Sequence, residues 1–242
     1  MRYDEFKERT GLSMDRLYQE IYQANRAKIS VKKDQTVQRN LVRILQATLK
    51  LSNQMGFQAM SMRDFSRETG LSMGALYSYF SGKDELLDMI MRQGRRLVLA
   101  TLETHLQTVT DPAAKLEAAV RLHLFISEAL QPWFCFSFME AKNMNRTEKE
   151  KTIASELYTD QLLCQILRQG QSQAVFKARD AEQSAAAIKA LLQDWYVKRW
   201  KFAQRGVTVD AYADFVVAFV MAFHGAPVPQ TPAEELTPHA CN

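Results

Sequence analysis

Ser61-Met-Arg-Asp-Phe-Ser-Arg-Glu-Thr-Gly70-Leu-Ser-Met-Gly-Ala-Leu-Tyr-Ser-Tyr-Phe-Ser-Gly-Lys83 is the stretch that decides the fold. Ser61 with Asp64 three residues on is a helix start, a capping box in which a short acid replaces Glu. That helix lasts about two turns and stops at Gly70. A second begins near Ser72 and is expected to run through Phe80. Two short helices around a tight Gly70-Leu71 turn have helix-turn-helix spacing. Leu76 and Phe80 are four apart and face the core with Phe65 and Leu71, while Met73 and Tyr77 share another face. Gly74 costs a helix about 1 kcal/mol relative to Ala, which close approach of the backbone to a groove wall would offset. Lys83 stands at a helix N-terminus, the unfavourable end for a cation. An external phosphate sharing the site with the helix amides would explain it.

Working outward, Val37 to Met55 reads as a helix, with Leu41, Ile44, Leu45, Thr48, Leu49 and Leu51 at spacings of three and four. Gly56 ends it. Ser81 and Asp84 look like another start signal, for a long helix holding Leu86, Leu87, Ile90 and Met91. Pro112 and Pro132 sit where first helical turns begin. Helices are expected over 148–169, 181–204 and 208–224, and the Pro-bearing tail 225–242 is expected to be disordered. No strand pattern competes, so the fold class is all-α.

The run Gly70 to Lys83, followed by Asp-Glu-Leu-Leu87, resembles the DNA-binding domain of TetR-family transcriptional regulators. The helix over 37–55 with Gly56-Phe57 matches that domain's first helix, and the motif resemblance covers about residues 37–90. The resemblance implies an N-terminal three-helix DNA-binding domain (36–82) and a larger helical effector-binding and dimerisation domain (83–224). It also implies a homodimer on operator DNA. Carried over by position, the recognition helix is 72–79. Ser72, Met73, Gly74 and Ser78 lie at or beside base edges, Tyr77 and Tyr79 touch phosphates or base edges, and Lys83 touches phosphate. Ser61 and Arg63 meet the DNA backbone. Phosphate contacts position such a protein and base contacts specify sequence. No Arg or Asn in 72–79 is poised for a bidentate base contact, so thymine methyls and DNA shape are expected to matter.

Thr10-Gly-Leu-Ser-Met-Asp-Arg-Leu-Tyr18 repeats Thr69 to Tyr77 with seven identities in nine positions, 59 residues upstream, and Phe6 matches Phe65. Residues 1–35 thus form a helical arm and basic linker, and 2–22 a second helix-turn-helix half without its first helix. One reading gives the arm extra DNA contacts through Arg16, Tyr18, Lys28, Lys32 and Lys33. Against it, Asp15 replaces the equivalent of Gly74. The other reading is an arm that covers an apolar surface.

Trp133 to Met139 is apolar on nearly all sides and is expected to be buried. Core packing explains it; the alternative is an effector cavity lined by His123, Phe125, Trp133, Phe136, Phe138 and Tyr158. A guest there would be small and hydrophobic or aromatic, since no basic cluster marks an acyl-CoA phosphate site. The stripes Ile188, Leu191, Leu192, Trp195, Tyr196, Phe202 and Tyr212, Phe215, Phe219, Phe223 either fill a monomer core or form a four-helix dimer interface through 181–224, and the resemblance favours the dimer.

The 242 residues carry 31 Lys and Arg against 27 Asp and Glu. The excess is uneven: 17 basic and 11 acidic side chains fall in residues 1–96, so one half suits a polyanion. Three scattered cysteines argue against a disulfide framework or thiolate zinc site, and no apolar leader precedes the arm; a cytoplasmic location is expected. The histidines have no zinc-protease spacing, and there is no phosphate loop or nucleophile elbow. An enzyme is therefore not expected, nor a cofactor or metal. The expectation is a ligand-responsive regulator, more often a repressor than an activator. The alternative is a helical small-molecule or protein-binding module whose helix-turn-helix is only structural.

Overall fold

Helices supply the regular structure of the described residues, 1–31 and 33–227 of this computed structural model, and no strand occurs among them. The arm forms α1 (Tyr3–Thr10) and α2 (Met14–Asn25), divided at Gly11, whose φ of 60° lies in the left-handed region. Two helices around a glycine turn are what the helix-turn-helix half read over residues 2–22 calls for. The next unit is α3 (Asp34–Met55), α4 (Met62–Thr69) and α5 (Met73–Tyr77). Then come α6 (Lys83–Leu106), α7 (Pro112–Ala129), α8 (Gln131–Glu140) and α9 (Arg146–Ser172). The described residues close with α10 (Ala181–Val197), α11 (Arg199–Gln204) and α12 (Val209–His224). The helix expected over 181–204 breaks at Lys198 into α10 and α11. Gly225 ends α12 with a φ of 69°, and residues 228–242 of the expected tail lie outside the described residues, as does Lys32.

Caps explain most boundaries. Ser13, Ser72, Asp111, Asn145, Asp180 and Thr208 each accept a hydrogen bond from a first-turn N–H through the side chain. The start of α6 differs from expectation. Gly82 is its N-cap, and the Ser81 amide and hydroxyl donate to Glu85 at 2.7 and 2.8 Å rather than engaging Asp84. Those two bonds hold the Glu85 carboxyl below its usual range.

One continuous apolar core runs through the molecule. In the α3–α5 unit Leu41, Ile44, Phe57, Met60, Phe65 and Leu76 are fully covered. In the larger half α10 packs along α9, and α12 lies on α7. The arm joins the two. α2 lies against α3 and α6, and α1 against α7, where the Phe6 ring lies 5.7 Å from that of Phe125. Fully burying a Phe side chain is worth about 1.5–3 kcal/mol, and Phe6 and Phe65 are both completely buried. The arm is therefore part of the core and covers an apolar surface of its own chain.

Candidate nucleic-acid interface

The α4–turn–α5 corner is held from within. Ser61 and Asp64 form the expected reciprocal cap, and the Ser61 bonds lower the Asp64 carboxyl below its ordinary value. Gly70 turns the chain with a φ of 66°, a conformation that favours glycine. Leu76 is buried beneath α5, and Phe65 meets Phe80 edge-on at 6.3 Å. With its inner face so anchored, α5 turns its other face to solvent. Tyr77 is 51% exposed, Ser72 and Gly74 are exposed, and Met73 and Ser78 are half-buried. A Cβ at Gly74 would meet no atom within 4 Å. Nothing inside the molecule therefore requires glycine there, which leaves the open space for an external surface. Ser61 and Arg63 are exposed on α4's side.

Two expected contact residues prove to be committed elsewhere. Tyr79 is buried, and its hydroxyl accepts a hydrogen bond of 3.0 Å from Asn40 Nδ2. Its ring cannot present a face to a duplex. Lys83 Nζ donates to the carbonyls of Phe57, Gln58 and Met60 at 3.2, 2.7 and 2.7 Å, above the Phe57 ring. An ammonium has three N–H bonds, and the turn after α3 uses all of them. Lys83 is a structural clamp on residues 57–60, and this explains a cation at a helix N-terminus without an external phosphate. α5 also ends at Tyr77, short of the expected Phe80.

The arm's candidates divide likewise. Tyr18 is 7% exposed, and burial raises its hydroxyl to about 12. It is core, not surface. Arg16 is exposed and donates to the Thr10 carbonyl. The linker is better placed. The Ser30 amide and hydroxyl both donate to the carbonyl of Ser78 at the end of α5, at 3.2 and 3.4 Å. This sets exposed Lys28 and Lys33 in the segment that runs beside the recognition helix.

The larger half holds a cavity of about 280 Å³ among α6, α8, α9 and α10. His123, Trp133 and Phe138 line it as expected. The other three expected residues do not. Phe125 is packed against Tyr3 and Phe6 of the arm. Phe136 faces α3, edge-on to Phe57 at 5.8 Å. Tyr158 is exposed, with its hydroxyl on Glu103 at 2.5 Å. Lining residues that the sequence reading passed over include Lys189, Glu156 and Gln193. Among the described residues, no helix is long and apolar enough to cross a membrane.

Residues 44–90, from the middle of α3 into α6, match the model of the bacterial regulatory proteins of the tetR family. The structure overlays on PfmR of Thermus thermophilus, a TetR-family transcriptional regulator, with a TM-score of 0.62 at 27% identity. That alignment covers 76% of this chain and 98% of PfmR. Residues 44–90 carry the DNA-binding segment of the TetR family. Its helix-turn-helix is the α4–α5 pair, and its relatives are regulators rather than enzymes. The HTH-type transcriptional regulator BetI of Proteus mirabilis is 29% identical over 114 residues, 44% of this chain and 57% of BetI. The match to BetI thus spans little more than half of that relative's length. AibR, solved in complex with isovaleryl coenzyme A and operator DNA, shares the fold with a TM-score of 0.64 at 20% identity, over 73% of this chain and 95% of AibR. The α1–α2 arm lies ahead of the family-matched segment.

Proposed function

We propose that the chain is a ligand-responsive repressor that binds a palindromic operator as a homodimer. The observation that carries the reading is the solvent-open outer face of α5, with Tyr77 and the unobstructed Gly74 displayed above a rigid inner face. Ser61, Arg63, Ser72, Met73, Gly74, Tyr77 and Ser78 form the contact surface. Lys28 and Lys33 add basic charge beside it, and Arg16 lies on the arm farther from it in sequence. Tyr79 and Lys83 support this surface from behind.

The dimer reading rests on α12. Phe215, Phe219 and Phe223 are 61%, 54% and 46% exposed, spaced at four residues along one side. Phe215 and Phe219 stack at 6.3 Å. A stripe of three rings in water is a contiguous apolar patch of the kind that marks an interaction site. Pairing it with a twofold copy buries it and sets two α5 helices toward one duplex.

The coupling reading rests on α8, which touches both the cavity and α3. Trp133, Phe134 and Phe138 meet the cavity. At the end of the same helix Glu140 accepts hydrogen bonds from Ser52 Oγ and the Phe57 amide at 2.7 and 2.9 Å, beside the Phe136–Phe57 contact. A guest that shifts α8 therefore pulls on the C-terminal end of α3 and the turn held by Lys83. The guest changes operator affinity only through its unequal affinity for the two arrangements; about 1–3 kcal/mol of coupling suffices.

The test is a gel shift with the DNA upstream of the chain's own gene. The wild-type chain is expected to bind and Tyr77→Ala to bind at least about tenfold more weakly with unchanged helicity, the loss of a stacked or phosphate-touching ring being worth about 1–3 kcal/mol. Equal binding by the variant overturns the assigned face.

A further inference from the structure

The cavity behind α8 mixes rings with buried polar groups in its lining. Trp133, Phe134, Phe138 and Tyr196 supply the rings; Phe134 lies 5.0 Å from Tyr196 between centroids and 5.9 Å from His123. The polar part is nearly dry. Lys189 Nζ lies 2.6 Å from Thr159 Oγ1 and 3.4 Å from Glu156 Oε2, with 6% of the lysine side chain exposed. His123 shares this wall; it is buried, and its Nε2 has no hydrogen-bond partner. An unsatisfied buried nitrogen costs free energy that a guest could recover.

The charges are not equally secured. Arg95, also in the lining, is neutralised from behind by the buried carboxylate of Glu148 at 3.0 Å. Lys189 depends on Glu156, which is 44% exposed and also accepts from Gln193. Glu156 is free to yield its place and remain hydrated. Burial lowers the Lys189 ammonium, with Glu156 and Asp160 opposing, and pushes the His123 imidazole well below its usual range. A neutral imidazole donates through Nε2 in one tautomer.

Building on the effector-cavity reading, we propose that the guest is a small organic acid whose ring or short alkyl body lies among Trp133, Phe134, Phe138 and Tyr196. Its carboxylate meets Lys189 Nζ and His123 Nε2, while the Thr159 hydroxyl, which donates to the Glu156 carbonyl at 2.8 Å, accepts from the lysine and steadies it. An opposite charge at contact distance favours the charged form of a buried lysine, so the acid replaces a half-hydrated counter-ion with a desolvated one. A quaternary ammonium would instead meet the Lys189 ammonium and give His123 nothing. The volume of about 280 Å³ falls at the small end of ligand pockets, which suits a single ring or a short chain.

Calorimetric titration of the full chain with phenylacetate, hexanoate, phenylacetamide, hexanamide and benzyltrimethylammonium tests this. Each acid is expected to bind at least about tenfold tighter than its amide, the size of one charge-assisted hydrogen bond. Lys189→Met should erase that margin with helicity and operator binding intact, and Glu156→Gln should keep or widen it. Three results overturn the proposal: an amide or the ammonium binding as tightly as the acids, the margin surviving in Lys189→Met, or no binding by any probe at millimolar concentration. Should Lys189→Met fail to fold, Glu156→Gln decides, because weaker acid binding in that variant contradicts the assigned charge. Operator binding by the ligand-free chain is scored separately, so its failure strikes the regulator reading and leaves the acid preference to stand or fall alone.

Discussion

Residues 10–18 and 69–77 share most of their letters and nearly all of their local geometry. In each, the threonine hydroxyl donates to the phenylalanine carbonyl four residues back, at 2.8 Å for Thr10 and 2.6 Å for Thr69. The same hydroxyl then accepts from the leucine amide beyond the glycine. Gly11 and Gly70 take φ values of 60° and 66°. Ser13 and Ser72 cap the following helix at the same 3.2 Å. The copies part company in helix length and in what lies against them. α2 runs on for 12 residues and is pressed between α3 and α6, so Tyr18 is covered; α5 stops after 5, and Tyr77 stands open. Local code decides the corner, and the tertiary neighbour decides whether the corner is core or reading surface.

The comparison can be broken most forcefully at the paired phenylalanines. Phe6→Ala and Phe65→Ala should each cost about 3–5 kcal/mol in thermal unfolding, since both rings are fully buried. Phe65→Ala alone should also abolish operator binding at temperatures where the larger half stays folded. Equal loss of DNA binding in Phe6→Ala would mean that the arm shapes the reading surface as much as α4 does. The tyrosines come next, with opposite signatures. Tyr18→Ala should cost about 3 kcal/mol of stability, while Tyr77→Ala should change stability by less than about 0.5 kcal/mol and weaken operator binding. A stable, binding-deficient Tyr18→Ala would reverse the assignment. Gly11→Ala and Gly70→Ala should each lose about 1–2 kcal/mol for a left-handed Ala, and Gly70 the more, because its Cβ would come within 3.2 Å of Arg43 Nη2.

Salt titration sharpens the contrast between support and contact. Arg63→Ala should lower the slope of log K against log salt by about one unit, whereas Lys83→Met should leave the slope alone and loosen the 57–60 turn, seen as faster amide exchange there. The smallest effect is expected in acid. Asp64 caps α4, while its counterpart Glu5 only pairs with Arg9, and Arg2 at the start of α1 caps nothing through its side chain. A carboxylate with a lowered folded pKa stabilises above its unfolded value, near 4, and that contribution is lost as pH falls through the folded one. The protection factors of the amides at the start of α4, with the intrinsic pH dependence of exchange divided out, should therefore fall below about pH 4 relative to pH 6, more than those at the start of α1.

Much of the fold is legible in the residues. Ser, Gly and Pro punctuate the helices, and the Ser61–Asp64 box, the Gly70 turn and the exposed Met73–Tyr77 face follow from spacing alone. Tyr79 and Lys83 are misplaced by such a reading because their partners are distant: Asn40 lies 39 residues upstream, and the carbonyls that hold Lys83 lie on a turn 23 to 26 residues back. A lysine looks the same in sequence whether water, phosphate or carbonyls satisfy it. The polar part of the cavity does leave a trace. Ala185, Lys189, Leu192 and Tyr196 occupy one buried face of α10 at helical spacing, so a lysine sits where the pattern asks for an apolar residue. Phe215, Phe219 and Phe223 fall into the same sequence stripe as Tyr212, and only the packing of α12 on α7 separates the face that turns inward from the face that does not.

The arm also ties distant parts of the chain together. Its first residues are bolted to the last helix: Arg2 reaches Asp214 at 3.0 Å, and the Tyr3 amide reaches Asp210 at 3.0 Å. Midway it is pinned to α6 by Glu20–Arg96 and Asn25–Arg92, and its end is hooked onto α5 at Ser78. The first helix, the last helix and the reading head are thus laced on a single cord that ends at Ser30. Any tilt of α5 away from α12 must either drag that cord along or snap its last knot.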